Sequence, residues 1–351
     1  MKIAKSLLAT GLLAFSVTAL SQPKERVVIS EQSFAGSKAV SYVLKEVIES
    51  RLGGQAEVKL ADTAVAVLAM DKGDGQIDVI GDFWLPNQTS RWSEYVEKRK
   101  TVLHNDKPYN AIQRLWIPGY LQDEYKIYSV DDLKKPEIAK LFDSNDNGLG
   151  EYWPGAPGWG STQIWMVKMR SYGLDNTFEH TIVDQAVFLN KLDSEYKKKK
   201  PLLFYYWTPE WVPQAYDIRP LKEAPFTGYK GDNVKDSPLY NEVNGCFELY
   251  NPRETQDWLE RSHITCQNPD AEVWVLYSKT LPERAPKAAQ FLKQVKLDPN
   301  EISKWIAAIS RDNLDPQDVA EDWVRENKAI VDTWVEGIEL GSAQEGSSKK
   351  P

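Results

Sequence analysis

The stretch RVVISEQSFAGSKAVSYVLKEVIESRLGGQAEVKL, residues 26–60, decides the fold class. Its apolar start, Arg26 to Ile29, is typical of a buried strand, and residues 35–51 have the apolar spacing of a helix. The face of that helix would carry Val40, Val43, Leu44, Val47 and Ile48. A second strand follows at residues 58–60. A strand, a helix and a strand in succession are typical of α/β folds.

The same alternation continues along the chain and predicts mainly parallel sheets. Further strands are predicted at residues 77–80, 113–117, 202–206 and 273–277, with helices between them. The C-terminal region differs, because its apolar spacing predicts two amphipathic helices, one over Ile302 to Ile309 and one over Val319 to Trp334.

Composition excludes several classes of function. The chain has 351 residues, of which 42% are hydrophobic and 27% charged, so it is globular and large enough for about two domains. A net charge of −8 provides no basic surface for nucleic acid or an anionic membrane. His104, His180 and His263 have no neighbouring nucleophile motif, and there is no glycine-rich phosphate loop, so an enzyme is not expected.

Both ends of the chain have distinct compositions. Lys2 and Lys5 precede a charge-free stretch, residues 6–20, and Ala19-Leu20-Ser21 has the small-x-small form of a cleavage site, which predicts a cleaved signal peptide at residues 1–21. No cysteine follows the cleavage site, so a lipoprotein anchor is not expected. Residues 341–351 have the composition of a disordered tail.

The two cysteines, Cys246 and Cys266, are the only ones in the chain. An even pair in an exported protein favours a disulfide over two free thiols.

The 13 tryptophans fall into two groups. One group has helical spacing among aliphatic residues and is expected in the core: Trp165, Trp258, Trp305, Trp323 and Trp334. By contrast, Trp84, Trp159 and Trp207 lie at strand ends or in loops beside Pro or Gly, where open α/β sheets bind ligands. Three aromatic faces there could form a cage for a quaternary ammonium group. Alternatively, they are hydrophobic plugs.

The residues after Trp159 predict an anion site next to that cage. Gly160-Ser161-Thr162 begins an apolar helix, and the first backbone N–H groups of a helix have no partner within it. Such an end binds carboxylate or phosphate. A cage for a cation beside a helix end for an anion suits a zwitterion such as a betaine. The alternative is a Gly-Ser cap that serves only its own helix.

Three motifs in order resemble one known family. They are KPEIAKLFD at residues 135–143, PGWG at 157–160 and FYYWTPEWV at 204–212. Together they resemble the glycine betaine-binding proteins of proline/betaine ABC importers, and the resemblance covers nearly all of the chain after residue 21. It implies a type II periplasmic binding protein of the α/β class. Each of its two lobes would be a mixed, mainly parallel sheet flanked by helices, with the ligand in the cleft between them.

The resemblance also implies domains, partners and a site. Lobe I would comprise residues 24–117 and 272–340, and lobe II residues 118–271. Trp84, Trp159 and Trp207 would hold trimethylammonium, and the backbone N–H groups of Gly160 and Ser161 would hold the carboxylate. The protein would be a periplasmic monomer that delivers its ligand to an ABC importer's permease and ATPase.

Some positions depart from the family pattern and leave the ligand open. Gln88 stands where a member of the family has a carboxylate-binding histidine, and a glutamine can donate a hydrogen bond but carries no charge. Trp153 is an additional aromatic that could supply a fourth wall. Choline, carnitine, trimethylamine N-oxide and dimethylsulfoniopropionate therefore remain alternative ligands, and a sensory receptor an alternative partner. Asp82 and Glu210 are the nearest acids, and solvated positions are expected for both.

Residues 143–151 resemble the first part of a calcium-binding loop. Asp143, Asn145, Asn147 and Glu151 would supply side-chain oxygens and Leu149 a carbonyl. The glutamate expected at the twelfth position is absent, because Pro154 stands there. A structural calcium ion and an ordinary Asn-Gly turn are the two interpretations, and no other cofactor is expected.

Overall fold

The computed structural model of the chain describes residues 25–252 and 255–339. The signal peptide predicted at residues 1–21 and the tail predicted at residues 341–351 therefore lie outside the described residues.

Strands and helices alternate along the described chain as far as Ser278, and the elements after it are helices. The strands there are β1 (Arg26–Glu31), β2 (Gln55–Leu60), β3 (Val79–Leu85), β4 (Val102–His104), β5 (Tyr109–Pro118), β6 (Gly150–Tyr152), β7 (Phe178–His180), β8 (Phe204–Thr208), β9 (Ile218–Pro220), β10 (Tyr229–Lys230), β11 (Phe247–Glu248), β12 (His263–Ile264) and β13 (Ala271–Ser278).

The α-helices of residues 25–252 and 255–339 are α1 (Ala35–Glu46), α2 (Thr63–Lys72), α3 (Thr89–Arg91), α4 (Gly119–Tyr125), α5 (Pro136–Ala139), α6 (Gly160–Ser171), α7 (Gln185–Lys197), α8 (Val212–Ala215), α9 (Trp258–Arg261), α10 (Leu281–Arg284), α11 (Pro286–Gln294), α12 (Pro299–Ile306), α13 (Pro316–Glu326) and α14 (Lys328–Trp334). Turns of π-helix extend α1 through Arg51, α3 through Lys98 and α12 through Arg311.

The main sheet has the strand order β2-β1-β3-β13-β5-β8, with β4 beside β13 and β9 beside β5. The α/β class is confirmed, but the expected majority of parallel pairs is not observed. Strand β1 pairs in parallel with β2 and β3, whereas every other pair of this sheet in the described residues is antiparallel. Strand β13 returns from a distant segment of the chain, so no single crossover helix imposes a parallel direction on it.

Strand β5 joins two parts of this sheet. Its residue Ala111 pairs with Ala271 of β13, and the next residue, Ile112, pairs with Thr208 of β8. A change of pairing partner between consecutive residues means that one continuous strand belongs to both parts.

Helix α1 packs closely on strand β3. Val40 and Leu44 are fully buried, and a Cβ atom at Gly81 would lie 2.8 Å from Cγ1 of Val40 and 3.0 Å from Cδ1 of Leu44. Because real Cβ contacts are not that short, the glycine lets the helix approach the strand. The predicted helix over residues 35–51 is confirmed, with its last turn a π-helix.

The C-terminal helices begin at Asp-Pro pairs. The Asp298 carboxylate accepts from the first N–H groups of α12, and the Asp315 carboxylate does the same for α13. Only the first of the two predicted helices is continuous. The second ends at Asn327, whose φ of −110° and ψ of 39° are not helical, and α14 follows.

Most of the tryptophans expected in the core are buried there. Trp165, Trp305, Trp323 and Trp334 are at most 8% exposed, and Trp258 is half-buried. The rings of Trp305 and Trp323 meet edge to face at 4.7 Å.

A small disulfide-linked sheet lies in the second part of the chain. Strands β10, β11 and β12 form it, and Cys246 is bonded to Cys266, with their Cα atoms 5.8 Å apart. The predicted disulfide is therefore present. Cys266 is packed in an apolar cluster with Phe247 and Ile164 of α6, which joins this sheet to that helix.

Candidate ligand-binding site

A cavity of about 290 Å³ lies where the ends of β3 and β8 meet the start of α6. Trp84, Trp159 and Trp207 all line it, and we call these three residues the tryptophan cage. Gly160, Ser161 and Gln88 line it as well. The structure thus brings together six of the seven ligand-contacting residues predicted from the sequence. The seventh, Trp153, is not in the lining.

The cage residues meet because three different elements end at the cavity. Trp84 is the penultimate residue of β3, Trp207 occupies the same place in β8, and Trp159 immediately precedes α6. The rings of Trp159 and Trp207 stand edge to face, with centroids 5.3 Å apart. Faces presented at steep angles to each other can surround a compact cation from several sides.

Trp153 packs behind the cage. It is 3% exposed, stacks on Phe188 at 4.0 Å, and meets the ring of Trp159 edge to face at 5.8 Å. Its indole N–H donates to the carbonyl of Val183. Trp153 therefore supports Trp159 and provides no wall of the cavity.

The start of α6 lies at the cavity with its own cap incomplete. Trp159 is the N-cap residue, and its side chain makes no capping hydrogen bond. A Cβ atom at Gly160 would lie 3.0 Å from the carbonyl oxygen of Asn87, so only glycine lets the helix start approach this loop so closely. The first N–H groups of α6 therefore have no side-chain cap from Trp159.

Gln88 is held by a neighbouring arginine. Nη1 of Arg91 donates to Oε1 of Gln88 at 2.5 Å, which leaves the amide NH₂ of Gln88 as its donor. Arg91 also lines the cavity. Sequence reasoning missed Arg91, although its position three residues after Gln88 in a short helix was a signal that the two side chains could meet.

Two of the hydrogen bonds beside the cavity join segments expected in different lobes, and another pair lies within one lobe. The indole N–H of Trp159 donates to the hydroxyl of Ser33 at 3.1 Å. Within the expected lobe I, the lining residue Asn87 and Gln113, which is outside the lining, exchange two amide hydrogen bonds of 3.0 and 2.9 Å. Tyr205, another lining residue, donates to Gln113 at 2.7 Å.

Asp82 and Glu210 are both buried, so the expectation of solvated positions is wrong. They are 1% and 2% exposed. Oδ1 of Asp82 accepts from the indole N–H of Trp84 at 2.9 Å and from the hydroxyl of Tyr109 at 2.6 Å. Burial raises the pKa of Asp82 to about 6, against the lowering effect of these hydrogen bonds. Burial likewise raises the pKa of Glu210 to about 7.

The predicted calcium loop forms a hydrogen-bonded turn. The Asp143 carboxylate accepts from the backbone N–H groups of Asn147 and Gly148, and the side chain of Asn147 accepts from the N–H of Leu149. Glu151 accepts from the side chain of Asn145. Within residues 25–252 and 255–339, no group of three or more His, Cys, Asp or Glu side chains is placed to hold a metal ion.

The cavity lies at the ends of two strands and is lined by aromatic faces and the start of a helix. This arrangement is typical of proteins that bind a small ligand. The model of the family described as the substrate binding domain of ABC-type glycine betaine transport systems, OpuAC, matches residues 25–326. The chain belongs to this family, whose members are substrate-binding components of importers and not enzymes.

Curated relatives support the same assignment. The chain is 25% identical over 334 residues to the glycine betaine/proline betaine-binding periplasmic protein of Escherichia coli, covering 88% of this chain and 94% of that protein. It is 27% identical over 232 residues to the glycine betaine-binding periplasmic protein OusX of Dickeya dadantii, covering 62% and 63%.

Solved structures share the fold. Lactococcal OpuAC, in a closed conformation complexed with glycine betaine, superposes with a TM-score of 0.66 at 17% identity, over 89% of this chain and all (100%) of that one. A choline-binding protein of an ABC transporter, complexed with choline, gives a TM-score of 0.65 at 17% identity, over 90% and 93%. These likenesses confirm the type II periplasmic binding protein fold. No helix in the described part of the chain is long and apolar enough to cross a membrane.

Proposed function

We propose that this protein binds glycine betaine, with the trimethylammonium group in the tryptophan cage and the carboxylate at the start of α6. The observation that carries the proposal is that one cavity joins three indole faces to an uncapped helix N-terminus. The backbone N–H groups of Gly160 and Ser161 would donate to the carboxylate, and Gln88 would add a side-chain donor.

Simple energetics support this division of the site. Each indole face contributes about 0.5 to 2 kcal/mol to binding of a poorly hydrated cation, depending on how much water the site excludes. Donors at a helix N-terminus favour an anion through their partial positive charge. A ligand with both charges uses both ends of the cavity, and a ligand with only the cation leaves the helix end to water.

The two expected lobes remain part of the proposal: lobe I with residues 24–117 and 272–340, and lobe II with residues 118–271. The pairing of β5 supports a first crossing several residues earlier than expected, between Ala111 and Ile112. The pairing of β13 begins at Ala271, which supports the second crossing. Ligand contact with residues of both lobes would then favour a closed cleft.

We also propose that the protein is exported by a cleaved signal peptide, is not a lipoprotein, and acts as a periplasmic monomer. The periplasmic location of the curated relatives supports the location. The partner would be the permease and ATPase of an ABC importer, and a sensory receptor is the alternative.

Other methylated ligands remain in the same proposal as alternatives: choline, carnitine, trimethylamine N-oxide and dimethylsulfoniopropionate. Choline has no carboxylate, so it distinguishes the two ends of the site. A choline affinity equal to that of glycine betaine would show that the start of α6 contributes nothing to binding.

Calorimetric titration of the purified protein tests the proposal. We expect saturable binding of glycine betaine, and its loss in Trp159→Ala. Trp258→Ala is a matched control, because Trp258 is half-buried and outside the cavity lining, and its affinity should match the wild type. Absence of heat with every methylated ammonium or sulfonium compound in the wild type would overturn the proposal.

We keep structural calcium in residues 143–151 as a separate proposal. Support comes from Glu179 of β7, whose carboxylate accepts from the side chains of Asn145 and Asn147 at 2.9 and 2.7 Å, beside the loop that lacks its final glutamate. An ion that binds only the native state must raise the Tm. We expect calcium to raise it and a chelator to reverse the rise. An unchanged Tm leaves the Asn-Gly turn as the correct interpretation.

A further inference from the structure

Asp82 is a buried carboxyl group directly behind the tryptophan cage. It is two residues before Trp84 on the same strand, and its Oδ1 accepts the indole N–H of that tryptophan at 2.9 Å. Asp82 does not line the cavity, so it cannot itself contact a ligand there. Whatever it does for binding must act through the indole or through its electric field.

The second oxygen of Asp82 has no hydrogen-bond partner in the structure, although it is buried. An unpartnered buried carboxylate oxygen is costly unless a positive charge lies nearby. A Cβ atom at Gly36, in the first turn of α1, would lie 3.0 Å from this oxygen, so the start of that helix offers one partial positive charge. A trimethylammonium group in the cage would supply a full one.

The geometry points to Asp82 as a positioning residue that fixes the Trp84 ring and supplies negative charge behind it, so that the cage selects a permanent cation. An N–H donor bonded to a carboxylate is polarised, which increases electron density on the indole face that a cation would contact. This inference rests on the proposed function and adds the residue that would make the cage anionic.

Two titratable side chains face Asp82 and could contribute to the pH dependence of ligand binding. From β5, Tyr109 faces it, and burial raises the pKa of that phenol well above its usual value, so it stays protonated near neutrality. From the loop after β8, Glu210 interacts with it: burial raises the pKa of Glu210, and the charge of Asp82 raises it further.

Charged side chains on the other elements next to Asp82 are engaged elsewhere or exposed. Lys38 of α1 pairs with Glu31 of β1 at 3.3 Å, and Glu272 of β13 is exposed. Of the groups named here, Asp82 and Glu210 change their charge near neutral pH, and Asp82 is the one bonded to a cage indole.

Cation binding in the cage and ionisation of Asp82 would favour each other. A bound cation favours the ionised form of Asp82, so affinity rises as pH rises through the pKa of that group, about 6, and levels off above it. Glycine betaine and choline keep their ammonium charge over that range. We expect the wild-type Kd for both to fall about tenfold between about pH 5 and about pH 8.

The decisive variant is Asp82→Asn, which preserves the acceptor for Trp84 and Tyr109 and removes the charge. We expect a Kd about tenfold weaker at high pH and independent of pH, measured by calorimetry. Glu210→Gln is the matched control, because Glu210 bonds to no cage indole, and it should retain the pH dependence. If the Kd of Asp82→Asn changed with pH as in the wild type, the inference would be overturned. It would also be overturned if Glu210→Gln alone lost the pH dependence of Kd.

Tyr109→Phe gives an independent test if Asp82→Asn does not fold. It removes one hydrogen bond that lowers the pKa of Asp82, so the midpoint of the affinity profile should move to higher pH. A wild type that binds glycine betaine with no pH dependence also overturns the inference and leaves the proposed function intact. A wild type that binds no methylated cation overturns both.

Discussion

The indole N–H of Trp159 donates a 3.1 Å hydrogen bond to the hydroxyl of Ser33. Trp159 precedes α6 and Ser33 precedes α1, so this bond joins the two sides of the cavity. If it forms only when the cleft closes, it contributes about 0.5 to 1.5 kcal/mol to ligand binding.

We therefore expect Ser33→Ala to weaken glycine betaine binding by about two- to tenfold. Calorimetric titration measures this directly. Ser50→Ala is a suitable control, because Ser50 is exposed, its hydroxyl donates to the carbonyl of Glu46 in the same helix, and it does not line the cavity. An unchanged Kd in Ser33→Ala would mean that the bond is equally present in the open form.

A second prediction concerns a buried ion pair. The side chains of Lys168 and Glu223 are both 0% exposed, and Nζ lies 2.6 Å from Oε1. Removing one partner leaves an unpaired buried charge, so Lys168→Met should lower the free energy of unfolding by about 3 to 5 kcal/mol in denaturant titration. Lys197→Met, which breaks an exposed pair with Asp193, should change it little. Equal losses in both variants would contradict this account.

A third prediction concerns the bond between Cys246 and Cys266, which closes a 20-residue loop. In the chain-entropy model such a cross-link stabilises by about 3 kcal/mol. We expect reduction to lower the Tm of the wild type, and the double variant Cys246→Ser/Cys266→Ser to show the lower Tm without reductant. A wild type whose Tm is indifferent to reductant would show that the small sheet is held by its apolar contacts alone.

The fourth prediction is a gain in stability. Burial raises the pKa of Asp82 from 3.8 to about 6, so the native state holds its proton longer than the unfolded chain. Ionisation therefore destabilises the native state as pH rises from about 4 through 6, and the loss persists above that. Asp82→Asn should be more stable than the wild type at neutral pH by on the order of 3 kcal/mol, and equal to it in acid.

Denaturant titrations of both proteins at several pH values measure this difference. Asp318→Asn offers a control, since Asp318 is exposed on the first turn of α13 and does not line the cavity. If Asp82→Asn is less stable than the wild type at every pH, the carboxylate is stabilised in the native state by a group outside the contacts described above.

The sequence predicted the cage because a local signal marks each member. Trp84, Trp159 and Trp207 stand at strand ends or in loops beside Pro or Gly, and such positions are where open α/β sheets bind ligands. Trp153 carries a similar signal six residues before Trp159, but the neighbouring residues do not show how deeply its side chain is buried. Its stacking on Phe188, which is distant in sequence, places it behind the cage.

The burial of Asp82 is also not evident from the neighbouring residues. The apolar run of β3 ends at Ile80 by sequence, so the residues after it were expected in a loop. The strand continues to Leu85, because Gly81 accommodates α1 and Asp82 finds donors in Trp84 and Tyr109. The pairing of β13 also cannot be predicted from the sequence, since antiparallel partners distant in sequence leave no periodic signal in either strand.

The change of partner within β5 has a mechanical consequence. Under the proposed division into two lobes, one of the two crossings would lie at the single peptide between Ala111 and Ile112, and Gln113 beside it bonds to Asn87 and Tyr205. In a rigid rotation about an axis close to the ligand, the ligand moves little and the outer rim of the lobe moves furthest. A transporter that touches only the rim would thus sense an amplified version of a small displacement at the ligand.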